Sequence, residues 1–144
     1  MGFSNPFFKW VASKETYRRT IKVSKMNYDK TISQYLGIVV NTSDGVIVLN
    51  ETEILYCKAE GSYTHIYLQG AIKNKITVSK SLSRVLESLH NEYFVRIHNS
   101  FVINLLHLTS FSKTDKNCVV MSDGENLTIS RARKKSLMKR FRTI

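Results

Sequence analysis

Acidic residues are scarce in this sequence of 144: eleven Asp and Glu stand against twenty-two Lys and Arg, a net charge of +11 at neutral pH. Cysteine is scarcer still. Cys57 and Cys118 sit inside apolar, strand-like runs with no CxxC pair, so they read as buried structural thiols rather than a disulfide or a metal pair. There is no HExxH, and His65, His90, His98 and His107 show no metal-ligand spacing, so no metal and no cofactor is expected. No apolar run approaches the ~20 residues of a membrane-spanning helix, and stable membrane insertion is not expected. The start lacks a basic region followed by an apolar core, so no secretory signal is read and the cytoplasm is the default compartment. GxSxG and P-loop motifs are missing, and no Cys or Ser has a His and an acid at a recognisable family spacing. The expectation is a protein that is not an enzyme.

What the chain has in excess is positive charge, and it is unevenly placed. Residues 1–36 hold seven bases and two acids, residues 37–130 eight bases and nine acids, and residues 131–144 seven bases and no acid. A nearly neutral body flanked by basic ends looks more like a docking surface for a polyanion than general solubility. The polyanion would be nucleic acid or an anionic membrane. Apolar residues make up 42%, enough for one domain with a modest core.

Hydrophobic periodicity divides the chain at about residue 36. Before it, Phe7, Trp10, Val11, Tyr17 and Ile21 fall near helical spacing, and Pro6 suits a helix start. This basic segment reads as a helix, an arm or a linker. From Leu36 the period becomes two. Strands are expected at 37–40 and 46–49 around a Ser43-Asp44-Gly45 turn, then at 54–60, 63–68, 75–78, 94–97, 107–112, 118–121 and 127–129. Thr64, Ile66 and Leu68 should face one way and Tyr63, His65 and Tyr67 the other. Leu82, Val85, Leu86 and Leu89 mark a helix capped by Ser79 or Ser81. A last helix should start near Ser130 and present Leu137, Met138 and Phe141 on one face. Nine short strands and two helices predict a mainly β domain of antiparallel hairpins.

Three polar segments could carry function. In Glu60-Gly61-Ser62-Tyr63-Thr64-His65, Gly61 and Ser62 close a hairpin, and the neighbouring hydrogen-bonding groups could read a polar surface. In the stretch from Arg96 to Asn104, His98, Asn99 and Ser100 separate two apolar runs. Asn can pair with the N6/N7 edge of adenine, and Ser can hold a phosphate, while His98 and Asn104 could instead satisfy backbone groups. Ser130 would cap a helix opening Arg131-Ala132-Arg133-Lys134-Lys135. A helix start attracts phosphate, and Arg131 could reach a guanine O6/N7 pair.

Taken in order, five stretches resemble the LytTR family of bacterial DNA-binding domains. They are residues 54–63 (ILYCKAEGSY), 79–82 (SKSL), 94–104 (FVRIHNSFVIN), 121–124 (MSDG) and 129–131 (ISR). The resemblance runs from about Gly37 to Phe141. It implies an elongated domain of small antiparallel sheets with two short helices over 37–144; the segment over 1–36 before it reads, from its residues, as short and helical or disordered. It also implies a transcription regulator, of the kind that serves as the output domain of two-component response regulators, that inserts loops rather than a recognition helix into the major groove of double-stranded DNA. Adjacent copies would sit on repeated half-sites, as a homodimer on DNA. On this resemblance Asn99 and Arg131 are assigned to base edges, with Tyr63 or His65 as the third reader. Phosphate contacts are assigned to Ser62, Thr64, Lys80, Ser81, Ser100, Ser130, Arg133, Lys134 and Lys135. His98 and Asn104 are assigned to the backbone inside the fold. Many members carry a basic residue at the position of Asn99, which bears on base preference. Members commonly follow a phosphate-accepting receiver domain, and 36 residues are too few for one, so the chain reads as a stand-alone regulator or an excised output domain.

Two rival readings predict different behaviour. A module for an acidic protein or a membrane surface would use Phe7, Phe8 and Trp10 beside the basic residues. A sequence-tolerant binder of RNA or single strands would stack bases on Tyr63 and Tyr67.

Overall fold

The computed structural model describes residues 37–70, 74–90 and 92–144. The N-terminal segment 1–36, with its helical spacing and its Phe7, Phe8 and Trp10 cluster, lies outside the described residues. The described part is mainly β, in three small antiparallel sheets.

Strands β1 (Gly37–Thr42) and β2 (Gly45–Asn50) form the first hairpin. Its two-residue turn suits Ser43-Asp44, because Thr42 Oγ1 accepts from Asp44 N–H at 3.2 Å and donates to Gly45 O at 2.9 Å. Strands β3 (Ile54–Glu60), β4 (Tyr63–Leu68), β5 (Asn74–Val78), β6 (Phe94–His98) and β7 (Phe101–Asn104) make the central sheet in the order β5-β4-β3-β7-β6. Strands β8 (Leu108–Phe111), β9 (Cys118–Met121) and β10 (Asn126–Thr128) form the third sheet. Helix α1 (Leu82–Glu87) links β5 to β6, and α2 (Arg131–Met138) follows β10.

Both faces of the central sheet are covered. Hairpin β1–β2 and α1 pack on one face, where Val40, Leu49, Ile66, Val78, Leu82, Val85 and Val102 share a buried cluster. The third sheet and α2 pack on the other, around Leu55, Tyr56, Ile97, Ile103, Val119, Met121 and Leu137. Two bulges make this possible. Register shifts between Ile54 and Tyr56 and between Arg96 and His98, so Leu55 and Tyr56 both enter the second cluster although they are adjacent. An extra residue on one strand breaks strict alternation and bends the strand.

The elements differ from the sequence expectation in three places. Phe101–Asn104 is a strand, so the described residues hold ten strands against the nine expected. Its apolar residues are too few to show a period by themselves, and pairing with both β3 and β6 supplies the structure. Helix α1 stops at Glu87, and the buried Leu89 lies in a closing turn through Leu89 N–H to Leu86 O at 3.1 Å. Helix α2 buries Leu137 alone. Met138 and Phe141 stay 47% and 44% exposed, because the helix ends at Met138 and the chain leaves the core there.

Cys57 is fully buried, and burial pushes its thiol up to about 12. Cys118 is partly buried and is a free thiol like Cys57, held up first by its hydrogen bond to the Asp115 carboxylate. Both fit the structural role read from the sequence.

Candidate nucleic-acid interface

The strand order dictates where the polar segments meet. In the antiparallel order β5-β4-β3-β7-β6, the β3–β4 turn, the β6–β7 turn and the C-terminal end of β5 all fall at one end of the sheet. The chain leaving β5 there supplies Ser79, Lys80 and the α1 cap Ser81. Cross-links hold this end together. Thr64 Oγ1 donates to Lys80 O at 2.7 Å, and Ala59 N–H donates to Ser100 O at 2.8 Å. Ser130 N–H donates to Ile97 O at 2.9 Å, which seats the start of α2 beside the β6–β7 turn.

Gly61 opens the β3–β4 turn with φ of +60°, a left-handed conformation that glycine adopts without steric cost. The two-residue turn lifts Ser62 and Tyr63 into solvent, with Tyr63 52% exposed. Asn99 is exposed at the tip of the next turn. Its conformation is fixed by two neighbours. His98 Nδ1 accepts from Ser100 N–H at 3.1 Å. Arg96 Nε donates to His98 O at 3.2 Å and Nη2 to Asn99 O at 2.6 Å, while Nη1 reaches Ser83 Oγ at 2.8 Å. One planar guanidinium thereby ties the turn to α1. The carbonyl of Arg96 in turn accepts from Arg133 Nη1 at 3.2 Å, which adds a second link to α2.

Arg131 is exposed at the first position of α2, behind its cap Ser130. Ser130 Oγ accepts from Arg133 N–H, and Ser81 Oγ accepts from Arg84 N–H, each at 3.3 Å. Each hydroxyl is used as an acceptor and keeps its own O–H for an outside oxygen. Ser81, not Ser79, is therefore the cap of α1.

The expected site residues divide by exposure. Ser62, Tyr63, Lys80, Ser81, Asn99, Arg131, Arg133 and Lys135 are exposed, and Ser100 and Ser130 are half-buried. Thr64 and His65 are different: both are buried, and both side chains bond inward. The Thr64 hydroxyl is spent on Lys80 O. His65 Nδ1 meets Thr77 Oγ1 at 2.8 Å and Nε2 meets the Glu60 carboxylate. That contact holds the Glu60 carboxyl below its ordinary range, chiefly through the hydrogen bond from His65 and then through the charge of the ring. Thr64 and His65 thus shape the hairpin beneath Ser62 and Tyr63 instead of facing outward. Lys134 is half-buried; its ammonium donates to Lys116 O and lies 5.8 Å from the centre of the Phe111 ring.

Sequence reasoning assigned no role to Arg96. Its only signal there is a cation two positions before a polar turn, within a strand whose other neighbours are apolar. Asn104 is buried and acts on the backbone: Nδ2 donates to Ile54 O at 2.8 Å and Oδ1 accepts from Leu106 N–H at 2.9 Å. The stacking surface that a single-strand binder would need is reduced, because Tyr67 stacks on Tyr56 with centroids 4.6 Å apart. Among the described residues no group of His, Cys, Asp or Glu could hold a metal ion, and no helix is long and apolar enough to cross a membrane.

Comparison with known proteins points to one family. The family model of the LytTr DNA-binding domain matches residues 44–142. The chain is 22% identical over 133 residues to a sensory transduction protein, LytT, of Bacillus subtilis (strain 168), covering 88% of this chain and 53% of that protein. The chain therefore spans about half the length of that relative. Among solved structures, a LytTr DNA-binding domain from Bacillus cereus superposes with a TM-score of 0.60 at 22% identity, covering 72% of this chain and 94% of the other.

Proposed function

The chain belongs to the LytTR DNA-binding domain family, a family of DNA-binding domains rather than enzymes, and from that premise we propose that it reads a specific double-stranded DNA site through loops placed in the major groove. It acts in this reading as a bacterial, cytoplasmic transcription regulator, the output part of a response-regulator system. The observation that carries the reading is the gathering of Tyr63, Asn99 and Arg131 at one end of the central sheet, on three segments cross-linked by the Ala59–Ser100 and Ser130–Ile97 hydrogen bonds.

Each reader has a chemistry suited to base edges. Arg131 offers a planar fork for guanine O6 and N7, and Asn99 offers a donor and an acceptor for adenine N6 and N7. Tyr63 becomes the third reader in preference to His65, whose two ring nitrogens are already occupied. Lys80, Arg133 and Lys135, with the hydroxyls of Ser62, Ser81 and Ser100, hold phosphates and set the register; Ser130 adds its hydroxyl beside Arg131. Two copies bind adjacent half-sites, one helical turn apart, so that both face the same side of the duplex.

Arg131→Ala tests the assignment. It is expected to cost ~1–3 kcal/mol in specific binding and to relax discrimination at one base position. Titration against a panel of duplexes carrying each base at each position reads both effects. Unchanged affinity and unchanged base preference would remove Arg131 from the reading surface.

A further inference from the structure

Beside the reader Arg131 runs a shallow cleft of about 620 Å³ between the outer face of α2 and the loop that joins β8 to β9. Arg131 and Lys135 line it from the helix, Lys139 from the cap that ends the helix, and Lys116 from the loop. Arg131, Lys135 and Lys139 are spaced i, i+4 and i+8, and the cap Lys139 keeps right-handed helical backbone angles, so they stand in one row rising ~6 Å per step. All three are exposed, as is Lys116.

The loop is fastened to the helix, which makes the cleft a fixed feature. Lys134 Nζ donates to Lys116 O, and its ammonium also lies over Phe111. Ile129 N–H donates to Asn117 O at 2.7 Å just before α2 begins. Asp115, the acid nearest Lys116 in sequence, is turned back into its own loop. Its carboxylate accepts from Asn117 N–H at 3.0 Å and from Cys118 Sγ at 3.1 Å. The exposed Met138 and Phe141 lie in the same cleft, where they offer apolar surface for the lysine stems.

We propose that this row is a backbone track: the phosphates of the same DNA duplex that Arg131 reads continue from Arg131 along Lys135 and Lys139, with Lys116 on the opposite wall. The inference rests on the DNA-reading function proposed above and extends it to base pairs outside the recognised site. A row of ~12 Å matches roughly three to four nucleotides of one strand at 3.4 Å of axial rise each. Beyond Arg131 at its head the track carries no base readers, so Lys116 and Lys139 add affinity and salt dependence and leave sequence preference alone.

The test uses the full chain and a Lys116→Gln/Lys139→Gln double variant. Binding is titrated across roughly 50–200 mM salt on two duplexes holding the same selected site. One duplex has several base pairs of flank beyond the position whose preference Arg131→Ala relaxes, and the other ends at that position. The double variant is expected to flatten the log–log salt slope by about 1.8 on the long duplex, at ~0.9 per phosphate lost. On the short duplex it should match the parent, and its selected motif should be unchanged. Equal slopes for variant and parent on the long duplex would overturn the track while leaving specific reading intact. An altered motif would overturn it too, by making these lysines part of base reading. A parent that selects no duplex sequence would remove the reading function and the track together.

Discussion

Arg96→Ala is expected to lower affinity for the specific site by roughly 10–100-fold, about 1.4–2.8 kcal/mol, while binding to unrelated duplex falls much less. Arg96 touches no base in this account. It fixes the carbonyls of His98 and Asn99 and bridges them to Ser83, so its loss frees the turn that aims Asn99. A freed turn must be re-ordered on each binding event, and that ordering cost falls on the specific complex. Arg96→Lys should rescue little, because an ammonium cannot span two carbonyls and a hydroxyl in one plane. Paired titrations on the selected site and on a scrambled duplex give the ratio that matters. A ratio unchanged from the parent would mean that Arg96 only supports the fold. A collapse of the ratio with the thermal midpoint nearly intact is the expected result.

The second large effect is on stability. Asn104→Ala is expected to cost ~2–4 kcal/mol, since one buried carbonyl and one part-buried N–H lose their side-chain partner at ~1–3 kcal/mol each. The Ile54 carbonyl loses the Asn104 donor and Leu106 N–H loses its acceptor, while Glu51 O gives up one donor and keeps the Ile54 N–H. Asn104 and Ile54 are 1% and 0% exposed, so water does not readily replace the donor to the Ile54 carbonyl. Such a loss consumes a large part of the ~5–15 kcal/mol typical of a folded domain. Urea denaturation measures it directly, and a loss below ~1 kcal/mol would contradict the role given to these bonds. Asn104→Asp should also destabilise, because it keeps the acceptor but buries a charge without a donor for Ile54 O.

Much of this was legible in the residues, and the exceptions have physical causes. Strands β3, β4 and β9 lie where alternation and flanking turns place them. The facing of β4 is also as read, with Ile66 and Leu68 in one cluster and Tyr67 against the other. What alternation cannot say is that both faces are covered. A strand with two buried faces hides residues that would be exposed on a one-sided sheet, and that is why His65 is buried rather than at the surface. Thr64 belongs to the core-facing set and spends its hydroxyl on the chain leaving β5. The bulges at Leu55 and Ile97 are equally silent in the sequence, since one inserted residue leaves no compositional mark.

The site was legible in part for a similar reason. Asn99 and Arg131 occupy a turn tip and a helix start, positions that local sequence announces. Their proximity follows from the Ser130 N–H to Ile97 O hydrogen bond, which joins the start of α2 to the end of β6 and leaves no mark in local sequence. Arg96 was missed because its function lies in carbonyls that any residue could supply. The cleft beside α2 was missed because Lys116 reaches the helix only through the folded third sheet.

The most direct test of the central claim is selection of binding sites by the full chain from a random pool of duplex DNA, at a stated salt near physiological strength. An enriched motif is expected, repeated at an interval of one helical turn, whose preferred bases are lost one position at a time in Arg131→Ala and Asn99→Ala. Binding that enriches no sequence would contradict it, leaving only the sequence-independent attraction of a basic protein for a polyanion.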